Sequence, residues 1–531
     1  MNTLRGTRDL VRLILRVDRV RIPTWMAGVT LFLLGSVASF PAAYDTAAER
    51  QARAALMDNP ATVILTGPGY GREDYTYGAM VANEMGGMTA ALLALMSVLL
   101  VVRHTRHEEE QGRAELVRAA VVGRHAPLAA ALLTVVAVDV VLGLVLGLGL
   151  PVVLPELSVG GSLLFAAGLS AVGVVFAALA GVTAQLMEHG RAASGLAAAL
   201  LAAAYALRGA GDLGDGTLSW LSPIGWAQRT RPYVDGRWWP LSLALALTVL
   251  LVVTAFVLRS RRDEGAGLVR GRPGRATATP WLSGPLALAL RLRRGLLTGW
   301  TVGFVLFGAF VGAIAEQAAE FAADNELARR VLAQQGQAGS AETVLATYLG
   351  LMALVSTGFA LQSVAALRAE ETTGRLDPLL GGSPLSRDGW MLSNLAVTLG
   401  GSGVVLGSGG LSAGLVHAMT SGDPWDAARL ALAALAHLPA VWVLAGLATA
   451  LFGVLPAAGG LEWLVLAGSV FVGMFGPLLR LPDRVADLSP FTHTPTLPTG
   501  DPHPASLLAL TAVAAALTAI GVLAFRRRDT A

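Results

Sequence analysis

Apolar runs of about 20 residues, the length that crosses a bilayer as a helix, recur along the whole of this chain and constrain it more than any other feature. They fall near 22–42, 79–102, 127–150, 161–187, 192–208 and 240–258, then again near 295–315, 344–367, 389–418, 427–453, 461–479 and 505–525. Lipid offers backbone polar groups no water, so runs of this kind fold as helices. The expectation is an all-α polytopic membrane protein of about twelve transmembrane helices. Charged residues make up only 14% of the chain, where a soluble domain carries about 25%.

Charge placement adds a topology. All 39 basic residues are arginine, and cysteine is absent, which excludes disulfides and thiolate metal sites. Of the arginines, 27 fall in loops on one side of the expected membrane and 12 in loops on the other. The positive-inside rule then puts both termini in the cytoplasm of a cell-membrane protein. A net charge of +3 gives no footing for nucleic-acid binding. In residues 1–21, Leu10, Leu13, Ile14 and Val17 lie at helical spacing among arginines, which predicts an amphipathic helix on the inner surface.

The spans divide into a first half, 22–258, and a second, 295–531, joined by an Arg-, Gly- and Pro-rich cytoplasmic linker, 259–294. Local matches make the halves look like copies. Arg106, Glu108, Glu109, Gly112, Arg113 and Glu115 face Arg368, Glu370, Glu371, Gly374, Arg375 and Asp377 at a constant offset of 262. Leu221-Ser222-Pro223 faces Leu488-Ser489-Pro490 at an offset of 267. An even number of spans per half gives both six-helix repeats the same orientation, related by an axis along the membrane normal.

The repeated charged segment follows the second span of each half. Glu109 with Arg113 and Glu371 with Arg375 stand at i,i+4 in the favourable order, and Pro378 is expected to end the second helix at Asp377. A single segment of this kind reads as a solvated connector. Its recurrence at equivalent positions points to a repeated partner. Here the sequence resembles the permeases of ABC-2-type exporters, whose coupling helices dock on nucleotide-binding subunits. The outer segment Ser222-Pro223 through Trp226, with Arg237-Trp-Trp-Pro240, resembles the fused twelve-span actinobacterial permeases described as polyketide-antibiotic exporters. The segment at Ser489 and Pro490 lacks those tryptophans and arginines. The resemblance implies two ABC ATPase subunits in trans, ATP and Mg on those partners and none on this chain, short external re-entrant helices at Ser222, Pro223, Trp226, Ser489 and Pro490, and export of hydrophobic or amphipathic compounds such as antibiotics.

Other chemistry is sparse. A P-loop needs its lysine, and this chain has none, so it is expected to be a permease subunit and not an enzyme. Two of the eight histidines, His104 and His107, lie three apart beside acidic residues, but no HExxH or Cys/His cluster accompanies them and the other six are scattered, so no metal site is expected. Asp139, in the middle of the third span, and Glu84, in the outer part of the second, are intramembrane carboxylates and therefore candidates for a substrate pathway. Their alternative is helix packing. The run Gly400–Gly410 reads as close helix approach or as a flexible gate. An ion-coupled secondary drug transporter is the competing function, and the few intramembrane charges weigh against it.

Overall fold

Eleven helices among the described residues are long and apolar enough to cross a bilayer, as the apolar runs require. The computed structural model describes residues 3–55, 60–113, 115, 120–263, 265–269, 277, 279–324, 340–382, 385–455, 460–479, 487–501 and 503–528. Helix is the regular structure throughout these residues, with no strand among them. The expected twelfth span, 461–479, coincides with a helix Leu461–Leu479 whose described side chains end at Val470. The centre of the expected linker, 270–276, and most of the second outer excursion, 325–339, lie outside the described residues. The chain forms two compact units, Met1–Gly274 and Arg275–Ala531.

In the first unit α1 (Thr7–Val17) is the amphipathic helix, followed by α2 (Arg21–Ala43). Two short helices, α3 (Ala47–Ala55) and α4 (Pro60–Thr66), occupy the polar excursion. Then come α5 (Tyr77–Glu110), α6 (Ala126–Val153), α7 (Val159–Leu186) and α8 (Gly190–Leu213). The short α9 (Pro223–Gln228) precedes α10 (Pro240–Arg261). Helix α7 is the axle of the unit, packing on α5, α6, α8 and α10. Of its most apolar stretch 72% is buried, against 11% for α10. Exposed leucines and valines such as Leu144, Leu148, Leu245 and Val249 form the outward surface that lipid would cover.

The second unit comprises α11 (Pro285–Asp324), α12 (Ala341–Thr372), α13 (Leu376–Gly382), α14 (Arg387–Ser421), α15 (Asp426–Leu435), α16 (Leu438–Val454), α17 (Leu461–Leu479) and α18 (Pro504–Arg527). Pro439 stands in the first turn of α16, where its missing N–H and ring divide one span into two helices. Helices α11 and α14 approach until Gly308 and Gly312 rest against the backbone of Gly409 and Ala413, leaving no room for a Cβ. Gly410 is pressed in the same way on Leu430 and Ala434. The glycine run therefore serves close helix approach.

Candidate functional site at the charged ends of the second spans

Helix α5 runs on through the first part of the motif to Glu110, with a π turn at Arg103–His107, and Arg113 and Glu115 are again helical beyond Gly112. A π turn adds a residue and rotates the following side chains, and here the segment buries His104, Thr105 and Arg106. Arg106 is 1% exposed and bonds to Glu109 at 2.7 Å. It also donates to the carbonyls of Glu188 (2.6 Å), Gly265 (2.8 Å) and Ala266 (3.2 Å). Glu109 accepts from both terminal nitrogens of Arg262, at 2.8 and 2.7 Å, and from Arg259. Arg262 Nε reaches Gln185 at 3.1 Å. The start of the linker is held to the end of α7 by Leu268 and Val269, whose amides donate to Gln185 O and Leu186 O. One carboxylate thus ties the ends of α5 and α10 together.

The expected pair of Glu109 with Arg113 is replaced. Arg113 bonds Glu108 at 3.2 Å, with 55% and 27% of these side chains exposed. Gly112, at φ 70°, turns the chain in the left-handed region that glycine enters at no steric cost. Arg113 and Glu115 beyond it are exposed. The motif is therefore in two parts, a clasp that is buried at Arg106 and nearly so at Glu109, and a more open tip with Glu108 half-buried and Arg113 and Glu115 exposed.

The second unit repeats this division. Glu371 pairs with Arg528, just past α18, and not with Arg375. Arg528 also donates to Phe452 O at 2.9 Å. Glu370 lies 3.6 Å from Arg293, and Arg368 lies 3.9 Å from Glu462. Helix α12 ends at Thr372, before the point expected from Pro378. Gly374 (φ 65°) closes it, with its amide bonded to Glu371 O and the Arg375 amide bonded to Glu370 O. This is a glycine-capped helix terminus of the Schellman type. Pro378 then sits in the first turns of α13, where proline is tolerated. Gly374, Arg375 and Asp377 are exposed.

Three partners at this end of the first unit, Asp18, Arg259 and Arg262, are not assigned to the motif by the sequence. Asp18, 2% exposed, takes bonds from Arg103 (3.2 Å) and His104 (2.8 Å), anchoring the end of α1 to α5. Arg259 and Arg262 read as topology arginines, and only their distance in sequence from Glu109 concealed the pairing.

Asp139 has no exposed surface. Ser97 Oγ lies 2.9 Å from each carboxylate oxygen, and Ser170 Oγ donates to the Asp139 carbonyl. Gly173 gives the carboxylate its space on α7. This is the geometry of the packing alternative, a carboxylate joining α5, α6 and α7. Glu84 lies in a second π turn, Val81–Met85. It bonds Arg53 of α3 through both oxygens at 3.1 Å, with Tyr75 Oη at 3.4 Å. Burial disfavours the Arg53 charge, yet the adjacent Glu84 holds its pKa above the ordinary arginine value, while burial and the same carboxylate push Tyr75 up. Glu84 therefore fastens the short helix α3 to the second span.

The two Ser-Pro segments form a short helix and a 3₁₀ turn. Ser222 and Pro223 are buried at the start of α9, and the Trp226 indole donates to Trp220 O at 2.6 Å. Trp220 stacks on Trp239 and carries Arg229 over its face. Ser489 and Pro490 are buried at a 3₁₀ turn, Pro490–His493, ahead of α18.

A helical chain with this many bilayer-length apolar helices is a multi-pass membrane protein. It belongs to the multidrug efflux permease family, whose model, described as the C-terminal domain of multidrug efflux system permease Rv1217c, matches residues 8–258 and 282–526. It is similar to the multidrug efflux system permease protein Rv1217c of Mycobacterium tuberculosis (strain ATCC 25618 / H37Rv), 41% identical over 528 residues, spanning 99% of this chain and 95% of that protein.

Proposed function

We propose that this chain is the membrane subunit of an ATP-driven exporter of the ABC-2 type, moving hydrophobic or amphipathic compounds such as antibiotics out of the cell. Two ATPase subunits would act in trans, one at each charged tip, with both termini in the cytoplasm. The observation that carries the reading is the recurrence, at the end of the second span in each unit, of a buried carboxylate clasp beside an exposed charged tip turned by a left-handed glycine. A clasp alone would serve folding. An exposed tip of mixed charge suits docking of a second protein. The relative's description as a multidrug efflux permease supports the class of cargo, and a chain without the lysine a P-loop needs is consistent with ATPase subunits in trans.

The test is purification of the tagged, full-length chain from its own membranes, with mass measurement and ATPase assay of what accompanies it. The expected result is two ATPase subunits per permease, stimulated by a hydrophobic drug. Drug transport by the purified chain alone, driven by an imposed proton or sodium gradient, would replace this reading with the secondary-transporter one.

A further inference from the structure

A cavity of about 320 Å³ opens between α1 and the ends of α5, α6, α7 and α10. Its floor is apolar, built by Leu10, Leu13, Ile14 and Val17 of α1 with Pro127 and Leu128 of α6. Leu13 and Val17 are 47% and 52% exposed, although they belong to the apolar stripe of α1. The polar groups at the back of the cavity are engaged within the protein: Glu109 with Arg259 and Arg262, His104 with Asp18, Gln185 with Arg262. At the mouth stand Glu108 and Arg113, a carboxylate and a guanidinium side by side at 3.2 Å, both open to solvent.

We propose that this cavity binds a zwitterionic amphiphile, with a single apolar chain along Leu13, Val17 and Leu128 and a headgroup bearing an ammonium and an anionic group at Glu108 and Arg113. The volume is at the small end of ligand pockets, which suits one chain. The paired charges supply the selectivity. An anionic head would meet Glu108, a cationic head would meet Arg113, and a head carrying both signs satisfies each. An amphipathic helix lies at the depth where headgroups meet acyl chains, so a ligand would enter sideways from the leaflet. The site needs only the membrane placement of the first unit; it shares Glu108 and Arg113 with the tip proposed above to dock an ATPase, so the probe is measured on the permease free of other subunits.

The experiment uses the full chain in nanodiscs of phosphatidylglycerol, with tail-spin-labelled dodecylphosphocholine as probe. Spin-labelled dodecyl sulfate and dodecyltrimethylammonium serve as anionic and cationic counterparts. The expected result is one immobilised zwitterionic probe per chain. Leu13→Trp, which fills the cavity from a half-exposed position, should weaken it by about ten-fold. Glu108→Gln and Arg113→Gln should each weaken it by up to about five-fold, the upper end for exposed charge pairs. Val17→Trp is the second filling variant if Leu13→Trp lowers the thermal midpoint. Binding that survives both tryptophans, or that is equal for all three probes, overturns the proposal. Competition by two-chain phosphatidylethanolamine would assign the site to bilayer lipid, and its failure to compete would assign it to single-chain amphiphiles taken from the leaflet. Either result upholds the site.

Discussion

Glu109, near the end of the second span, and Arg262, just past the sixth, are joined by two parallel bonds of 2.7 and 2.8 Å. The bidentate geometry is the strong form of the carboxylate–guanidinium pair. Arg106 and Arg259 complete the ring around the same carboxylate. Gln185 in the last turn of α7 and the Glu188 carbonyl just past it join the same network, so the ends of α5, α7 and α10 meet at this clasp.

Neutralising Glu109 should therefore do far more than neutralising its neighbour. Removing one partner of a buried pair costs about 3–5 kcal/mol, whereas an exposed pair such as Glu108 with Arg113 is worth about 0.2–1 kcal/mol. Glu109→Ala is expected to lower the thermal midpoint of the purified permease markedly, and Glu108→Ala to leave it almost unchanged. Equal midpoints for the two variants would show that the clasp does not stabilise the unit.

Asp139 and Gly173 form a pair that a double-mutant cycle can read. A Cβ on Gly173 would lie 2.8 Å from one Asp139 oxygen and 3.0 Å from the other. Overpacking of this order costs about 1–3 kcal/mol. Gly173→Ala should destabilise the unit, and much of the loss should vanish when Asp139→Ala is added. Asp139→Asn keeps the volume and an acceptor for Ser97, so it should leave stability and transport close to wild type. Loss of transport with unchanged stability in Asp139→Asn would return this carboxylate to the substrate pathway.

Topology is open to direct measurement because the chain has no cysteine. Glu115→Cys and Arg375→Cys, both at exposed tips, should react with an impermeant maleimide only after the cells are opened. Asp215→Cys, exposed at the opposite end of the first unit, should react in intact cells. The reverse labelling pattern would invert the positive-inside assignment.

The spans were legible because bilayer length is a property of continuous sequence. Each described span overlaps an apolar run, with ends displaced where charged residues continue the helix, as at Arg106–Glu110. The position of the charged motif was legible by its recurrence at an offset of 262. The partners of the motif were not. Helical spacing offers Arg113 to Glu109, but the π turn at Arg103–His107 rotates Glu109 towards Arg259 and Arg262, about 150 residues on. Such π insertions have no simple residue signature. The outer brace from Arg53 to Glu84 was hidden for the same reason, since Glu84 sits in the other π turn.

The exposed tips carry the last prediction. The clasp must be left intact in any test of docking, because altering Glu109 or Glu371 would disturb the fold itself. Arg113 with Glu115, and Arg375 with Asp377, are exposed and lie beyond the closing glycines. Exchanging the signs within one tip keeps the net charge and composition nearly constant. Arg113→Glu with Glu115→Arg, or Arg375→Glu with Asp377→Arg, should therefore leave the thermal midpoint within about 0.5 kcal/mol of wild type, as for other surface changes. An ATPase seated on that tip would instead meet like charges, and juxtaposed like charges at an interface cost several kcal/mol. On the ATP-driven reading proposed above, the expected outcome is a folded permease that no longer retains an ATPase at the altered tip and no longer exports. Since both tips are mounted on one chain, altering either alone should suffice. Retention of two ATPase subunits and full export after both tips are exchanged would mean that docking lies elsewhere on the protein.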